Sequence, residues 1–284
     1  MKRKSDHFPV LGIEDFRDHL NSGDQLLFNE LHGERSIDLP HRHDFFIINI
    51  FKKAKGTHLI DFVAYPIHNH QIHVVFPDQV HQWNIEKGTV GYQLMVSRSW
   101  FENLLSSLRF SVLFYQRHPA IDLAEDVFQY VFQEFQHIQR EISAPDIFWQ
   151  MIQKRCEIIG LMISRSAGQN FRDYEAIHAT PVISKFLNLI DLHFKEERSV
   201  SYYAERLHIS ANYLNIIAKK NLNTPASSLI KNRILLEAKR LLKVSEMSVK
   251  DIVYDLGFYD HASFTKFFRS NMGMTPTQFR DKAF

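Results

Sequence analysis

One cysteine in 284 residues, Cys156, excludes an intrachain disulfide and suits a reducing compartment. It lies in an apolar helical stretch, as expected of a small buried side chain. No stretch approaches the 18 or more consecutive apolar residues of a membrane span, so no membrane partner is expected. The opening Met1-Lys2-Arg3-Lys4 is basic, like the start of a signal peptide, but the apolar segment Phe8 to Ile13 is too short to complete one. A cytoplasmic protein is expected. No Ser/His/Asp or Cys/His set has a spacing that supports nucleophilic catalysis, so neither catalytic residues nor a cofactor are expected. Charge of neither sign dominates, with 34 Lys and Arg against 32 Asp and Glu.

What is present is a repeat. Val200, Tyr203, Ala204 and Leu207 fall at i, i+3, i+4 and i+7, and Val249, Ile252, Val253 and Leu256 repeat the spacing about fifty residues on. Each set makes an apolar stripe on a short helix. A tight turn follows each: His208-Ile209-Ser210 in one copy and Gly257-Phe258-Tyr259-Asp260 in the other. Gly257 suits the left-handed conformation that ends a helix, and Ser210 and Asp260 are good N-caps for the next. A second helix then places Leu214, Ile217 and Ala218 inward, matched by Phe264, Phe267 and Phe268. Two helix-turn-helix units in one chain let a monomer read two stretches of major groove. Between the copies, Pro225 to Lys243 lacks internal Gly and Pro and reads as one helix of roughly 28 Å at about 1.5 Å per residue. Adjacent major-groove faces lie about 34 Å apart, so a rod of this length suits a spacer.

These residues carry a resemblance. Ile209 to Leu214, Arg233 with Ala238 to Leu242, Ile252 to Phe258, Ser263 to Arg269, and Gly273-Met274-Thr275-Pro276-Thr277-Gln278-Phe279-Arg280 resemble the DNA-binding domain of AraC-family transcription regulators over residues 181–284. Residues 181–284 hold 16 Lys and Arg against 10 Asp and Glu, and the remainder 18 against 22, so one end of the chain is suited to phosphate. The resemblance implies a sequence-specific regulator that binds double-stranded promoter DNA, with a homodimer, RNA polymerase and a small-molecule effector as further implied partners. It places DNA contacts on the outer faces of the second helices: Asn212, Asn215, Ile216 and Lys219 in one copy, and His261, Ala262, Ser263, Thr265 and Lys266 in the other, with Arg233 between them. Asn can pair with adenine and Lys with guanine. Ile216 stands where the family often has a long polar residue, and Asn223 replaces a usual Gly, which Asn's tolerance of the left-handed conformation accommodates.

The first hundred residues read as strands. Phe45 to Phe51, Thr57 to Tyr65, Ile72 to Phe76 and Gly91 to Val96 are short runs rich in Ile, Val, Phe and Tyr, separated by Lys55-Gly56, Pro66 to Gln71, Pro77-Asp78-Gln79 and Lys87-Gly88. This spacing suggests a small β-barrel. His41-Arg42-His43-Asp44-Phe45-Phe46, Gly56 to Phe62, and Pro77 to Trp83 resemble the cupin-type sensor found before many AraC-family modules. The likeness makes His41, His43 and His81 candidate effector-binding residues, near where metal-binding cupins carry ligands. Three imidazoles can bind zinc, yet positions 46 to 49 are Phe, Ile, Ile and Asn, without the usual carboxylate. No metal is expected. His68, His70 and His73 flank a turn at Asn69 and read as solvated. The alternative function is a cupin metal-dependent enzyme with an appended DNA-binding domain.

The expected fold is two-domain α+β: a cupin-like β-barrel with flanking helices over 1–166, a linker over 167–180, and an all-α domain with two helix-turn-helix motifs joined by a linker helix over 181–284. Ser99 to Leu108, Leu123 to Arg140 and Asp146 to Arg165 read as helices. Ser99 to Leu108 closes the barrel in this reading; the resemblance implies that the helices within 123–165 pair two sensor domains, and packing on their own barrel is the other reading. Pro181 starts the next helix, with Ile183, Phe186, Leu187, Ile190 and Phe194 buried.

Overall fold

The computed structural model describes residues 10–13, 26–104, 108–110, 112–171 and 181–282. They form two compact units, a β-rich one within 10–171 and a helical one within 181–282.

The first unit has two five-stranded sheets. One has the order β1 (Val10–Leu11), β3 (Arg35–His43), β8 (His81–Ile85), β5 (Gly56–Ile60), β6 (Val63–Ile67). The other runs β10 (Ala120–Asp122), β7 (Gln71–Val75), β4 (Phe46–Lys53), β9 (Val90–Val96), β2 (Leu26–His32). All pairs are antiparallel except β1 on β3. The sequence predicts a closed barrel; among the described residues neither sheet closes, and the two face each other as a sandwich. The run Thr57 to Tyr65 is not one strand but a hairpin, β5–β6, turning through Asp61 and Phe62 at φ 48° and 72°.

Strand β4 is buried on both faces, because alternate residues serve two layers. Ile47 and Phe51 enter apolar clusters with Ile60 and Trp83 of the opposite sheet. Phe46 turns the other way and stacks at 4.3 Å on Phe101 of α1 (Arg98–Leu104). The helical layer continues with α2 (Val112–Arg117), α3 (Glu125–Ile142) and α4 (Trp149–Asn170). Phe132 and Phe135 of α3 cover the sheet through Phe28 and Tyr92, and Phe128 packs on His70. The segment 167–170, expected as linker, is the last turn of α4. Ala167 is fully buried there, and Asn170 Nδ2 donates to the Asp122 carbonyl at 2.5 Å. The rest of the expected linker, 172–180, lies outside the described residues.

The second unit is helical throughout: α5 (Pro181–His193), α6 (Val200–Arg206), α7 (Ala211–Leu222), α8 (Ala226–Val244), α9 (Val249–Asp255), α10 (His261–Met272) and α11 (Pro276–Asp281). Local chemistry sets its boundaries. Ser199, Ser210, Ser248, Asp260 and Thr275 each accept a backbone N–H as N-cap, and Ser248 and Thr275 complete reciprocal capping boxes. Asn223 ends α7 in the left-handed region at φ 51°.

Candidate functional site

In the second unit, α6–α7 and α9–α10 are two helix pairs joined by tight turns. The turns differ by one residue. His208 takes φ 56° in the first, where Gly257 takes φ 68° in the second. Ile209 N–H then donates to the Ala204 carbonyl at 3.0 Å, and Phe258 N–H to that of Val253 at 2.9 Å. The second turn has an extra residue, Tyr259, with 94% of its surface exposed. Gly257 is required by contact as well as by φ, since a Cβ there would sit 2.0 Å from the Lys195 carbonyl oxygen. Arg198 seals the turn by donating to the Leu256 carbonyl at 2.8 Å, with its guanidinium over the Phe258 ring.

Leu214, Ile217 and Ala218 of α7, and Phe264 and Phe268 of α10, are buried. That leaves Asn212, Ile216 and Lys219 exposed on α7, and His261, Ala262, Ser263 and Lys266 exposed on α10. Thr265 is half-buried, with its hydroxyl 3.3 Å from His261 Nδ1. Arg269, which the sequence reading missed, is exposed one turn after Thr265, at the position Lys219 holds in the first copy. The repeat register alone would have found it.

Two of the expected DNA contacts also have partners within the protein. Arg233 on α8 donates to Asp191 of α5 at 2.7 Å and to Glu237 one turn on in its own helix at 2.9 Å, and stacks over Phe194 at 4.0 Å. Asn215 accepts from Ala226 N–H at 3.1 Å, tying α7 to the start of α8, and donates to the Ala211 carbonyl. Glu237 is nearly buried. Burial pushes its carboxyl pKa up, but Arg240 and Arg233 outweigh that and hold it below the usual range.

The first unit holds a cavity of about 310 Å³ beside His41, His43, His81 and Trp83, with Asn29, Gln93 and Arg35 also lining it. The structure brings the three expected histidines together, each offering a nitrogen within 4.8 Å of the others. It also brings two the sequence reading missed. His58 and His73 stack at 5.3 Å, fully buried, where His73 was expected in a solvated turn. The β7 register puts His73 opposite Asn49, facing inward. Burial pushes the pKa of His43, His58 and His81 well below the ordinary histidine value, and that of His73 to about 3.

A helix-turn-helix domain family matches residues 203–282. The HTH-type transcriptional regulator YfiF of Bacillus subtilis is 24% identical over 269 residues, 85% of this chain and 78% of the relative. The HTH-type transcriptional activator RhaS of Mannheimia succiniciproducens is 21% identical over 266 residues, 93% and 97% of the two chains. The helical unit is a helix-turn-helix DNA-binding domain of the AraC type. Among solved structures, ToxT from Vibrio cholerae with bound unsaturated fatty acid aligns over 91% of this chain and 95% of its own, at 14% identity and a TM-score of 0.43. No helix among the described residues is long and apolar enough to cross a membrane.

Proposed function

We propose that α7 and α10 enter two successive major-groove segments on one face of a promoter duplex. Asn212, Ile216 and Lys219 serve the first segment, and His261, Ala262, Ser263, Thr265 and Lys266 the second. The observation that carries this is the complementarity within each second helix, whose apolar stripe is buried while the opposite face stays exposed, with Asn212 and Lys219 in one copy and His261, Ser263 and Lys266 in the other. Asn212 suits adenine, Lys266 suits guanine, and Ile216 and Ala262 suit thymine methyl groups. Lys219 and Arg269, toward the helix ends, suit phosphate. Arg233 and Asn215 hold the two readers at their spacing.

The first unit is a cupin-like sensor whose cavity takes a small-molecule effector, supported by a polar lining inside an otherwise apolar sandwich. Exposed Tyr130, Met151, Ile158 and Leu161 on α3 and α4 support pairing of two copies in the cytoplasm. Selecting duplexes from a random pool with the full chain, then footprinting the product, tests the DNA reading. Two protected patches about 10 base pairs apart on one face are expected. Equal affinity for selected and random duplex at stated salt would refute it.

A further inference from the structure

Four buried histidines form a hydrogen-bonded row that links the two sheets. His43 of β3, His81 of β8 and His58 of β5 belong to one sheet, and His73 of β7 to the other. His43 Nε2 lies 2.6 Å from His81 Nε2, His81 Nδ1 2.9 Å from His58 Nε2, and His58 Nδ1 3.0 Å from His73 Nδ1. His73 Nε2 then meets Gln71 Oε1 at 3.2 Å. Gln71 sets the direction of the row. The backbone N–H of His68 donates to its Oε1 at 3.0 Å, and its Nε2 donates to the Asp122 carboxylate at 2.9 Å, so the amide oxygen is the atom facing His73.

Hydrogens can be counted along such a row, because a neutral imidazole carries one N–H. His73 Nε2 donates to Gln71, so His73 Nδ1 accepts from His58, His58 Nε2 accepts from His81, and His81 Nε2 accepts from His43. Four hydrogens thus fill four contacts. A fifth has one place where it faces no other, His43 Nδ1, which is buried and has no hydrogen-bond partner among the described residues. A sixth would set N–H against N–H across 3.0 Å or less.

The surroundings do not offset added charge. Among the described residues no carboxylate is hydrogen-bonded to the row. Asp122 is separated from His73 by the Gln71 amide, and Asp61 accepts from Gln79 and the Val80 N–H. His41 and Arg35 of β3, and His68 beyond Gln71, carry charge of the same sign when protonated. β6 brings Tyr65 opposite His58, and β4, β9 and β2 bring the neutral amides of Asn49, Gln93 and Asn29. Within the first sheet the backbone ladders β3–β8 and β8–β5 brace the row. The His58–His73 link crosses between sheets that share no ladder.

We propose that the row is an acid switch: it holds one added proton, at His43, and a second drives the two sheets apart at His58–His73 while the helical unit stays folded. His193, His208 and His261 of the helical unit are not buried, so that unit has no matching store of neutral imidazoles. Burial first, then neighbouring imidazoles, holds the pKa values of the row below the ordinary histidine range. The folded row therefore binds fewer protons than the unfolded chain. Its contribution to stability is complete above about pH 6.5 and is lost as pH falls from there toward the folded values. Each proton bound only by the unfolded chain shifts the unfolding equilibrium by about tenfold per pH unit, so several histidines acting together give a steep response.

Two measurements on the full chain test this. Trp83, Trp100 and Trp149 all lie in the first unit, so tryptophan fluorescence follows that unit alone. Urea unfolding between pH 7.5 and pH 5 is expected to show uptake of two or more protons on unfolding below pH 6.5, and at least one fewer in the double variant His58→Gln, His73→Gln, whose amides do not titrate. Uptake of fewer than two protons in the parent chain, or an equal uptake in the folded variant, overturns the proposal. Should the double variant not fold, His73→Gln alone takes its place, with the same two outcomes. Nitrogen-15 NMR of the parent chain supplies the count directly. At pH 7.5 hydrogen is expected on Nδ1 of His58 and His81 and on Nε2 of His43 and His73. As pH falls, His43 is expected to become charged first, and amide signals of the first unit to move together while those of residues 181–282 keep their positions. Hydrogen on His43 Nδ1 at pH 7.5, two charged imidazoles of the row in an otherwise unchanged first unit, or loss of both units in one step overturns the switch.

Discussion

Single residues decide the turns. Gly257→Ala combines a φ of 68° with a Cβ placed 2.0 Å from a backbone oxygen, and the backbone cannot yield without opening the α9–α10 turn. Gly273 has nearly the same φ, 72°, but nothing within 4 Å of the added carbon. Gly273→Ala is therefore expected to cost only the left-handed strain, about 1 kcal/mol, and Gly257→Ala clearly more. Urea unfolding of both variants checks the order; equal losses would mean that contact with Lys195 contributes nothing. On the outer faces, Lys266→Ala is expected to lower affinity for the selected site by about 1–3 kcal/mol and to relax base preference in one half. Lys219→Ala is expected to weaken all sequences alike and reduce the salt slope by about one phosphate. Gel shifts across a salt series separate the two, and equal loss on specific and random DNA for Lys266→Ala would move it to the backbone class. The caps Ser210 and Asp260 and the left-handed Asn223 were legible in the sequence because each acts within three or four residues. The second half of the β5–β6 turn was not, because Phe62 at φ 72° is a residue for which that conformation is rare.

At the scale of elements, α8 is held by a charged cluster. Arg233 reaches Asp191 on α5 and Glu237 one turn on, while Arg240 lies 3.6 Å from the same Glu237 carboxylate. Arg233→Ala leaves Asp191 to solvent and Glu237 to Arg240 alone, and a loss of about 1 kcal/mol is expected. The salt slope of DNA binding should stay unchanged, since the guanidinium points inward; a slope reduced by one would return Arg233 to the DNA. Glu237 also gives the unit an acid limb. Its pKa is lower folded than unfolded, so its contribution is complete above the unfolded glutamate value, about 4.3, and is lost as pH falls through the folded value. Denaturant midpoints from pH 7 down to pH 3 should fall less steeply in Glu237→Gln than in the parent chain. A parallel decline would remove Glu237 from the acid response. The sequence placed Arg233 on a helix but not its partner, because Asp191 comes from 42 residues away. The same limit hid the histidine row. Strand alternation can show that His58 and His73 face inward, but only the pairing of two sheets brings them within 3.0 Å.

At the scale of the whole molecule, a helical reader unit and a β-rich unit share one chain. The two-part division was legible because short runs rich in Ile, Val, Phe and Tyr between turn residues give way to apolar residues at helical spacing. The open sandwich was not, since closure depends on how far the edge strands β1, β6, β10 and β2 run. The lone thiol offers a way to time the first unit. Cys156 lies between the sheet and the helices, beside Phe46, Ile48 and Ile163, and burial pushes its pKa far up. A thiol reagent can meet it only when that seam parts, so its labelling rate acts as a stopwatch for internal opening. Labelling many orders of magnitude slower than a free thiol is expected in the unmodified chain, slower still when the cavity is filled. The helical unit has no thiol and stays silent, so the signal reports one half of the protein without any engineered probe.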